Sequence, residues 1–371
     1  MSIAERFVQH ARPFLEDRPA LKAIAKGIDT SAARASHSIA ASFPKVIRPK
    51  PRQLTIAITA HCNLRCIGCR YGRDFMLGEQ LSVSEVCAAL DDAFAAGVST
   101  VRFYGGEPLV HPGLKEMVAH AQKLGLRSYI TSNGILLKQK IDELYDAGLR
   151  LVTIGFYGFE VENTPYAQRS TYSESLERSL TYVRERYGQT IELQLNFVAM
   201  GPTCRNKVWR DAWKLAERYG MFLHVDLVSF STPFFLSDKQ AGIALTADDR
   251  SVLDEMVRDL LTYKDLVEDR VPHSREFIRS IPDWLLKQEA MCVPCDAYQN
   301  LWIGADGTVQ LCDTALELGS IKKQRLSEIV FSDAHRRASR DAFLLNCPNC
   351  ICNPESRIQK HAPSMRKYRG V

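Results

Sequence analysis

Cys62, Cys66 and Cys69 place three thiols within eight residues, just after the apolar run 54–60, which reads as a buried strand. Thiolates are soft ligands, and three are one fewer than a 4Fe-4S cubane needs. A cluster held at three corners keeps one iron open to a small-molecule ligand, as a catalytic zinc site keeps an open position that a structural site lacks. Spacing i, i+4, i+7 would also suit an apolar helix stripe. Asn63 and Gly68 favour a loop instead, and Arg65, Arg70 and Arg73 argue against burial. Zinc is the stronger competitor, but structural zinc sites take four ligands, commonly from paired CxxC units. Here the run stops at three, and His61 beside it reads as structural.

A second stretch, Val101 to Pro108, ends another apolar run with Gly105, Gly106 and Glu107. Two glycines after a strand let the backbone approach a ligand closely, and a carboxylate can receive an ammonium group. Alone, this is an ordinary strand-to-loop turn. Beside the thiol triad it carries more weight.

The CxxxCxxC spacing at the end of a first strand, followed by Gly-Gly-Glu, resembles the radical S-adenosylmethionine (SAM) enzymes. The resemblance implies a 4Fe-4S cluster on Cys62, Cys66 and Cys69 whose open iron is chelated by the amino and carboxylate groups of SAM. Reduction would then cleave SAM to a 5′-deoxyadenosyl radical. Gly105, Gly106 and Glu107 match the family motif that binds the amino group of the SAM methionine. One departure is Gly68, where the family usually has an aromatic residue near the adenine; Tyr71 or Phe75 is the candidate replacement ring.

These motifs must be positioned by a scaffold. Strand patterns at 54–60, 99–104, 127–131, 150–156, 190–198 and 222–228 alternate with helical patterns at 82–96, 113–124, 136–147, 173–187 and 205–219. Ser82 or Ser84 can cap the first helix, and Gly125 and Gly148 can end two others. Six such units make an α/β fold, a partial (β/α)6 TIM-type barrel, with function expected at the C-terminal ends of its strands. That rule nominates Ser132 and Asn133 after the third strand and Asn196 in the fifth. The resemblance gives them roles at the SAM ribose and carboxylate, with loop capping the alternative, and makes Arg169, in the segment after the fourth strand where similar proteins carry an arginine, a cofactor-binding candidate or a structural residue. Asp226 faces either substrate or a core ion pair, and residues 232–236 offer an apolar wall. Cys87 reads as a packed core thiol and Cys204 as a free, reactive loop thiol, neither assigned to a cluster.

Six of the 11 cysteines fall in the last eighty residues: Cys292, Cys295, Cys312, Cys347, Cys350 and Cys352. No signal peptide is read at the start, and the radical motif demands a reducing compartment, so metal binding is preferred to disulfides. Residues 302–311 read as a hairpin turning at 305–307, which lets Cys295 and Cys312 face one site. The pattern resembles the auxiliary-cluster extension called the SPASM or twitch domain. That resemblance implies one auxiliary 4Fe-4S cluster on Cys295, Cys312, Cys347 and Cys350. Cys292 and Cys352 are alternates, or ligands of an incompletely held second cluster. A four-thiolate zinc ribbon is the competing structural reading.

With 371 residues, 46% of them hydrophobic, the chain can build two to three domains with sizeable cores. The expected division is a helical extension over 1–50, the barrel over 51–235, a helical linker over 236–290 and the cysteine-rich β-hairpin/helix domain over 291–371. Within the extension, helical patterns at 4–16 and 19–27 precede Ala- and Ser-rich sequence. A net charge of +5 with interspersed acids and bases indicates no nucleic-acid surface, and no apolar run is long enough for a membrane span. The basic run Arg357 to Arg369 reads as a solvated tail or as a dock for an acidic flavodoxin- or ferredoxin-type electron donor.

Function is expected to be cytoplasmic radical SAM oxidoreductase chemistry. Net oxidation or epimerisation of a small molecule such as a carbohydrate or aminocyclitol leads, and a peptide substrate follows. A non-enzymatic iron–sulfur carrier or sensor would need closed four-ligand clusters and no pocket, against which the open triad and Gly105 to Glu107 argue.

Overall fold

The computed structural model describes residues 19–66, 69–71, 75–158, 172–230, 242–312 and 315–370. Helix α1 (Pro19–Ala40) leads into six strands, β1 (Gln53–Thr59), β2 (Thr100–Gly105), β3 (Arg127–Ser132), β4 (Leu151–Phe156), β5 (Glu192–Ala199) and β6 (Phe222–Leu227). Between them run α2 (Val83–Ala95), α3 (Leu114–Leu124), α4 (Leu137–Asp146), α5 (Tyr172–Tyr187) and α6 (Val208–Arg218). The six strands pair in parallel and in sequential order. Each strand alternates: Leu54, Ile56 and Ile58 pack outward in the helix-covered core, whereas Gln53 and Thr55 face the space inside.

Local chemistry explains the boundaries. Ser82 Oγ accepts from the Glu85 N–H at 3.2 Å while the Glu85 carboxylate accepts from the Ser82 N–H at 2.7 Å, a capping box that starts α2. Gly125 ends α3 with φ of 78° in the left-handed region. After β6, α7 (Arg250–Leu266) and α8 (Arg275–Lys287) pack on the barrel core.

Two features escape local reading. The hairpin β7 (Asn300–Ile303) and β8 (Thr308–Gln310) gains a third strand, β9 (Glu317–Ser320), and β7 pairs in parallel with β1. The nine strands form one sheet in the order β6-β5-β4-β3-β2-β1-β7-β8-β9, so the cysteine-rich region continues the barrel sheet beyond its first strand. Helix α1 also runs through the Ala- and Ser-rich stretch to Ala40 instead of ending near 27, because Ala-rich sequence sustains a helix once one face is docked. That face meets the C-terminal region: Arg34 Nε donates to the Gln359 carbonyl at 2.7 Å, and His37 Nε2 lies 2.9 Å from Tyr298 Oη. The helical pattern at 4–16 lies outside the described residues.

The C-terminal basic run is not a solvated tail. After α9 (Asp333–Leu344) it forms α10 (Pro354–Lys360) and α11 (Ala362–Tyr368). Arg357 is fully buried, and Lys360 Nζ pairs with Asp296 Oδ2 at 2.5 Å. Both partners of that ion pair are nearly sealed from solvent, and the pairing holds the Asp296 carboxyl below its ordinary range despite burial, which pushes it up. Among the described residues no helix is long and apolar enough to cross a membrane.

Removing one partner of a buried ion pair leaves the other charge uncompensated, at a cost of roughly 3–5 kcal/mol. Lys360→Met is expected to lower stability by about that amount at neutral pH. The deficit shrinks on acidification, since the orphaned Asp296 can then take up a proton, and denaturant titrations at pH 7 and pH 5 measure both effects.

Candidate active site

The ends of β1, β2 and β3 meet at one rim of the barrel. An ideal Cβ on Gly105, where φ is +143°, would lie 2.2 Å from the Thr59 carbonyl oxygen, and one on Gly106 would lie 2.3 Å from that of His61. The glycines are therefore required by the chain's own backbone, which passes within van der Waals contact as β1 turns into the cysteine loop. Gly106 N–H donates to the Thr59 carbonyl and Glu107 N–H to that of His61, both at 2.8 Å.

Glu107 sits 1% exposed beneath this crossing. Its carboxylate accepts from Leu109 N–H at 3.0 Å, Ser132 Oγ at 2.9 Å and Asn133 N–H at 2.8 Å. Asn133 Nδ2 in turn donates to Asn63 Oδ1 at 2.7 Å, inside the cysteine loop. The same Ser132 Oγ accepts from Gly134 N–H, and Asn133 Oδ1 accepts from Ile135 N–H. Ser132, Asn133 and Glu107 thus form one network that fastens the β3 and β2 ends to the thiol loop.

Cys62, Cys66 and Cys69 are half-buried on that loop. Leu64 N–H donates to Cys62 Sγ at 3.4 Å and Cys69 N–H to the Cys66 carbonyl at 3.3 Å. Burial pushes the Cys62 thiol up to about 11, so ionisation there calls for a positive partner such as iron. Three soft thiol donors carried on one loop, with a buried carboxylate behind it, are the donor set that would hold a cluster at three corners. Gly68 lies outside the described residues. Tyr71 packs 5.7 Å from the Phe75 ring and 6.3 Å from that of Tyr104, in an aromatic cluster with Trp302. Arg169 and the segment 232–236 also lie outside the described residues.

A cavity of about 330 Å³ fills the barrel interior and reaches the C-terminal region. Arg102, Tyr104, Thr131, Asn196 and Asp226 line it from the strands, and Cys295, Cys312, Cys347, Cys350 and Cys352 from the other side. Arg102 Nε donates to Thr131 Oγ1 at 2.8 Å while its guanidinium lies 4.6 Å over the Tyr104 ring. Asn196 Nδ2 donates to Asp226 Oδ2 at 2.6 Å and its Oδ1 accepts from Gln194 at 2.9 Å. Asp226 is open to the cavity though deep in the barrel; depth pushes its carboxyl up, but the His224 ring 3.7 Å away and the Arg102 charge outweigh that and hold it low. Among the described residues lining the cavity it is the one carboxylate. Behind it, His273 Nε2 accepts from Val225 N–H at 2.8 Å, which places the ring proton on Nδ1, 2.6 Å from Glu355 Oε2.

The C-terminal thiols divide. Five border the cavity, while Cys292 is exposed and does not. Burial raises the Cys295 and Cys347 thiols, again favouring a metal-bound form over a bare thiolate. Two other cysteines depart from expectation. Cys204 is fully buried in the short helix Gly201–Arg205 with its thiol pushed up to about 12, the opposite of a reactive loop thiol, and Cys87 is half-exposed on α2. Local reading also missed Arg357, which lines the cavity beside the cysteines; a lone arginine in a basic run gives no signal of burial.

Glu107 yields a sign-definite prediction. Burial pushes its carboxyl from 4.5 to about 7, outweighing the three hydrogen bonds. Between those values the folded chain keeps a proton that the unfolded chain has released, so stability falls as pH rises through the window. At about 1.4 kcal/mol per pKa unit the total is ~3 kcal/mol. Denaturation of ligand-free protein from pH 4.5 to 8 is expected to show that decline, and Glu107→Gln to flatten it.

Residues 56–193 match the radical SAM superfamily, and residues 292–351 match SPASM, an iron–sulfur cluster-binding domain. GTP 3′,8-cyclase 1 of Mycobacterium tuberculosis strain H37Rv is 32% identical over 155 residues, covering 36% of this chain and 43% of that protein. Molybdenum cofactor biosynthesis protein 1 of Dictyostelium discoideum is 39% identical over 106 residues, 27% of this chain and 17% of that one. The chain therefore spans less than half the length of these curated relatives. Among solved structures, anSMEcpe with bound AdoMet superposes with a TM-score of 0.60 at 17% identity, covering 86% of this chain and 96% of that one. SuiB of Streptococcus suis bound to precursor peptide SuiA gives 0.56 at 14%, covering 91% and 80%. With the partial barrel, the thiol loop on its rim and the cysteine-rich sheet extension all in place, the chain carries a radical SAM superfamily domain over residues 56–193 and a C-terminal SPASM iron–sulfur cluster-binding domain over residues 292–351.

Proposed function

We propose that this radical SAM enzyme oxidises a small polar substrate held in the barrel cavity, by net loss of two electrons and two protons. When bound, the cluster on Cys62, Cys66 and Cys69 together with SAM supplies a 5′-deoxyadenosyl radical, and an auxiliary cluster on the C-terminal thiols supplies an electron acceptor. The observation that carries the reading is the cavity itself: Asp226 and Arg102 form one wall and five SPASM cysteines another, so a molecule inside touches both. Arg102 orients an acceptor group of the substrate by charge and hydrogen bonding. Asp226, held ionised, takes the proton released as the substrate is oxidised. The enclosing barrel keeps water from a radical that would attack almost any C–H bond.

A volume of about 330 Å³ is at the small end of ligand cavities, roughly 300–1,000 Å³. The carbohydrate or aminocyclitol expected from the sequence finds no support in the relatives, named as a GTP cyclase and a molybdenum cofactor biosynthesis protein, or in the solved peptide complex. What the cavity supports is polarity and size. A peptide side chain is the second reading, favoured by a neighbouring cleft along Lys264, His273 and Glu355 that shares Asp226, Leu227, Asn353 and Pro354 with the cavity. An extended chain in the cleft could pass one side chain across that shared wall. A flavodoxin- or ferredoxin-type donor in a reducing, cytoplasmic setting completes the proposal.

Anaerobic reconstitution, reduction and addition of SAM are expected to yield 5′-deoxyadenosine. None from the parent chain, or equal amounts from Cys66→Ala, would sink the enzyme reading. Deuterated small-molecule and peptide candidates then identify the substrate by label transfer into 5′-deoxyadenosine. With that substrate, Asp226→Asn is expected to retain SAM cleavage while product formation drops by about 10²-fold or more, the usual worth of a general base; unchanged product formation would remove Asp226 from the mechanism.

A further inference from the structure

Arg357 is among the largest fully buried side chains of the molecule, and its surroundings are unusual for a cation. Its Nε donates to the Val293 carbonyl at 3.1 Å, a bond reinforced by Nη2, while Nη1 donates to the Cys350 carbonyl at 2.6 Å. Nη2 also reaches Asn349 Oδ1 at 3.3 Å, and the guanidinium lies 4.9 Å over the Trp284 ring. Val293 lies in the turn from Cys292 to Cys295, and Asn349 and Cys350 lie in the turn from Cys347 to Cys350. One planar fork therefore ties the two CxxC turns together, a geometry that a lysine ammonium cannot reproduce.

These partners satisfy hydrogen bonds but not charge. Among the described residues no carboxylate pairs with Arg357; the nearby buried Asp296 is already neutralised by Lys360. An arginine keeps its proton in proteins, and a buried charge without a counter-charge is strongly disfavoured. The same guanidinium lines the cavity together with Cys295, Cys347, Cys350 and Cys352. Thiolates gathered around iron bring net negative charge to that wall. An anion there and a fixed cation here solve each other's desolvation problem.

We propose that Arg357 is the built-in counter-charge of the SPASM site, locking the two CxxC turns at a fixed separation and raising the reduction potential of the auxiliary cluster they hold. This rests on the reading that the C-terminal thiols carry a cluster. The charge favours the reduced, more negative form of the cluster, which makes that cluster a better electron acceptor for a substrate radical. Arg357 is thus a positioning and tuning residue; it acts through the cysteines and does not touch the reacting bond.

The test uses full-length reconstituted protein in which Cys62, Cys66 and Cys69 are all replaced by Ala, so that any remaining cluster belongs to the C-terminal thiols. Iron and sulfide content establish that cluster, and a redox titration followed by electron paramagnetic resonance gives its midpoint potential. In this background Arg357→Gln is expected to shift the potential to more negative values. Arg357→Lys, which keeps charge without the fork, is expected to stay close to the parent potential while its thermal midpoint falls. Loss of the cluster in Arg357→Gln with retention in Arg357→Lys also supports the proposal. Equal potentials in the parent and Arg357→Gln, or loss of the cluster in both variants, overturn it by reducing Arg357 to a purely structural clamp. Absence of iron in the triple-alanine background overturns the cluster reading itself, an outcome distinguishable from every other.

Discussion

The crossing of two backbones at Gly105 and Gly106 is the constraint on which the active rim depends. No side chain fits between β2 and the turn out of β1, because a Cβ there would overlap the Thr59 and His61 carbonyl oxygens. The contact lets the Gly106 and Glu107 amides bond the outgoing chain and drops the Glu107 carboxylate into a sealed position under β3. From there three hydrogen bonds and the Asn133 to Asn63 link tie the third strand to the thiol loop. Loops that carry chemistry are ordinarily the mobile part of a barrel. Here Asn63 of the loop is braced from the β3 end through Asn133, and the β1–β2 crossing fixes where the loop leaves the sheet.

The second half of the site depends on β1 from its other edge. Pairing of β7 with β1 fuses the cysteine-rich region to the barrel through backbone hydrogen bonds, and α1 and α10 seal the seam from outside. Because β1 lies between β2 and β7 in the sheet, the strand that launches Cys62 also fixes the sheet edge from which Cys312 follows. The cavity between them is consequently polar on one wall and sulfur-rich on the other.

Charge inside this assembly is handled in three ways. Asp296 and Lys360 neutralise each other; Asp226 leans on His224 and Arg102; Glu107 has only neutral donors, and burial raises its carboxyl as a result. Buried Glu107 and buried Arg357 are both places where the protein leaves charge imperfectly matched, which is how functional sites often differ from cores.

Much of this was written in local sequence. The six strands and their helices follow from hydrophobic period and from Ser82, Gly125 and similar caps, since those signals act within a few residues. Cys62, Cys66, Cys69 and the Gly-Gly-Glu run declare themselves by spacing, and so do the C-terminal CxxC units. Other roles could be settled only by distant partners. Gly105 and Gly106 looked like ligand contacts until Thr59 and His61 arrived against them; Ser132 and Asn133 looked available until Glu107 and Asn63 took their donors. Arg357 and Lys360 looked solvated because basic residues in a row usually are, yet folding of α10 turned them inward. Sequence alone determined which residues could bind iron, cap helices and build strands, because those properties are local and covalent. Tertiary structure decided which polar groups are already satisfied, which charges are sealed and which thiols share a cavity, because burial and pairing are properties of residues brought together from far apart in the chain.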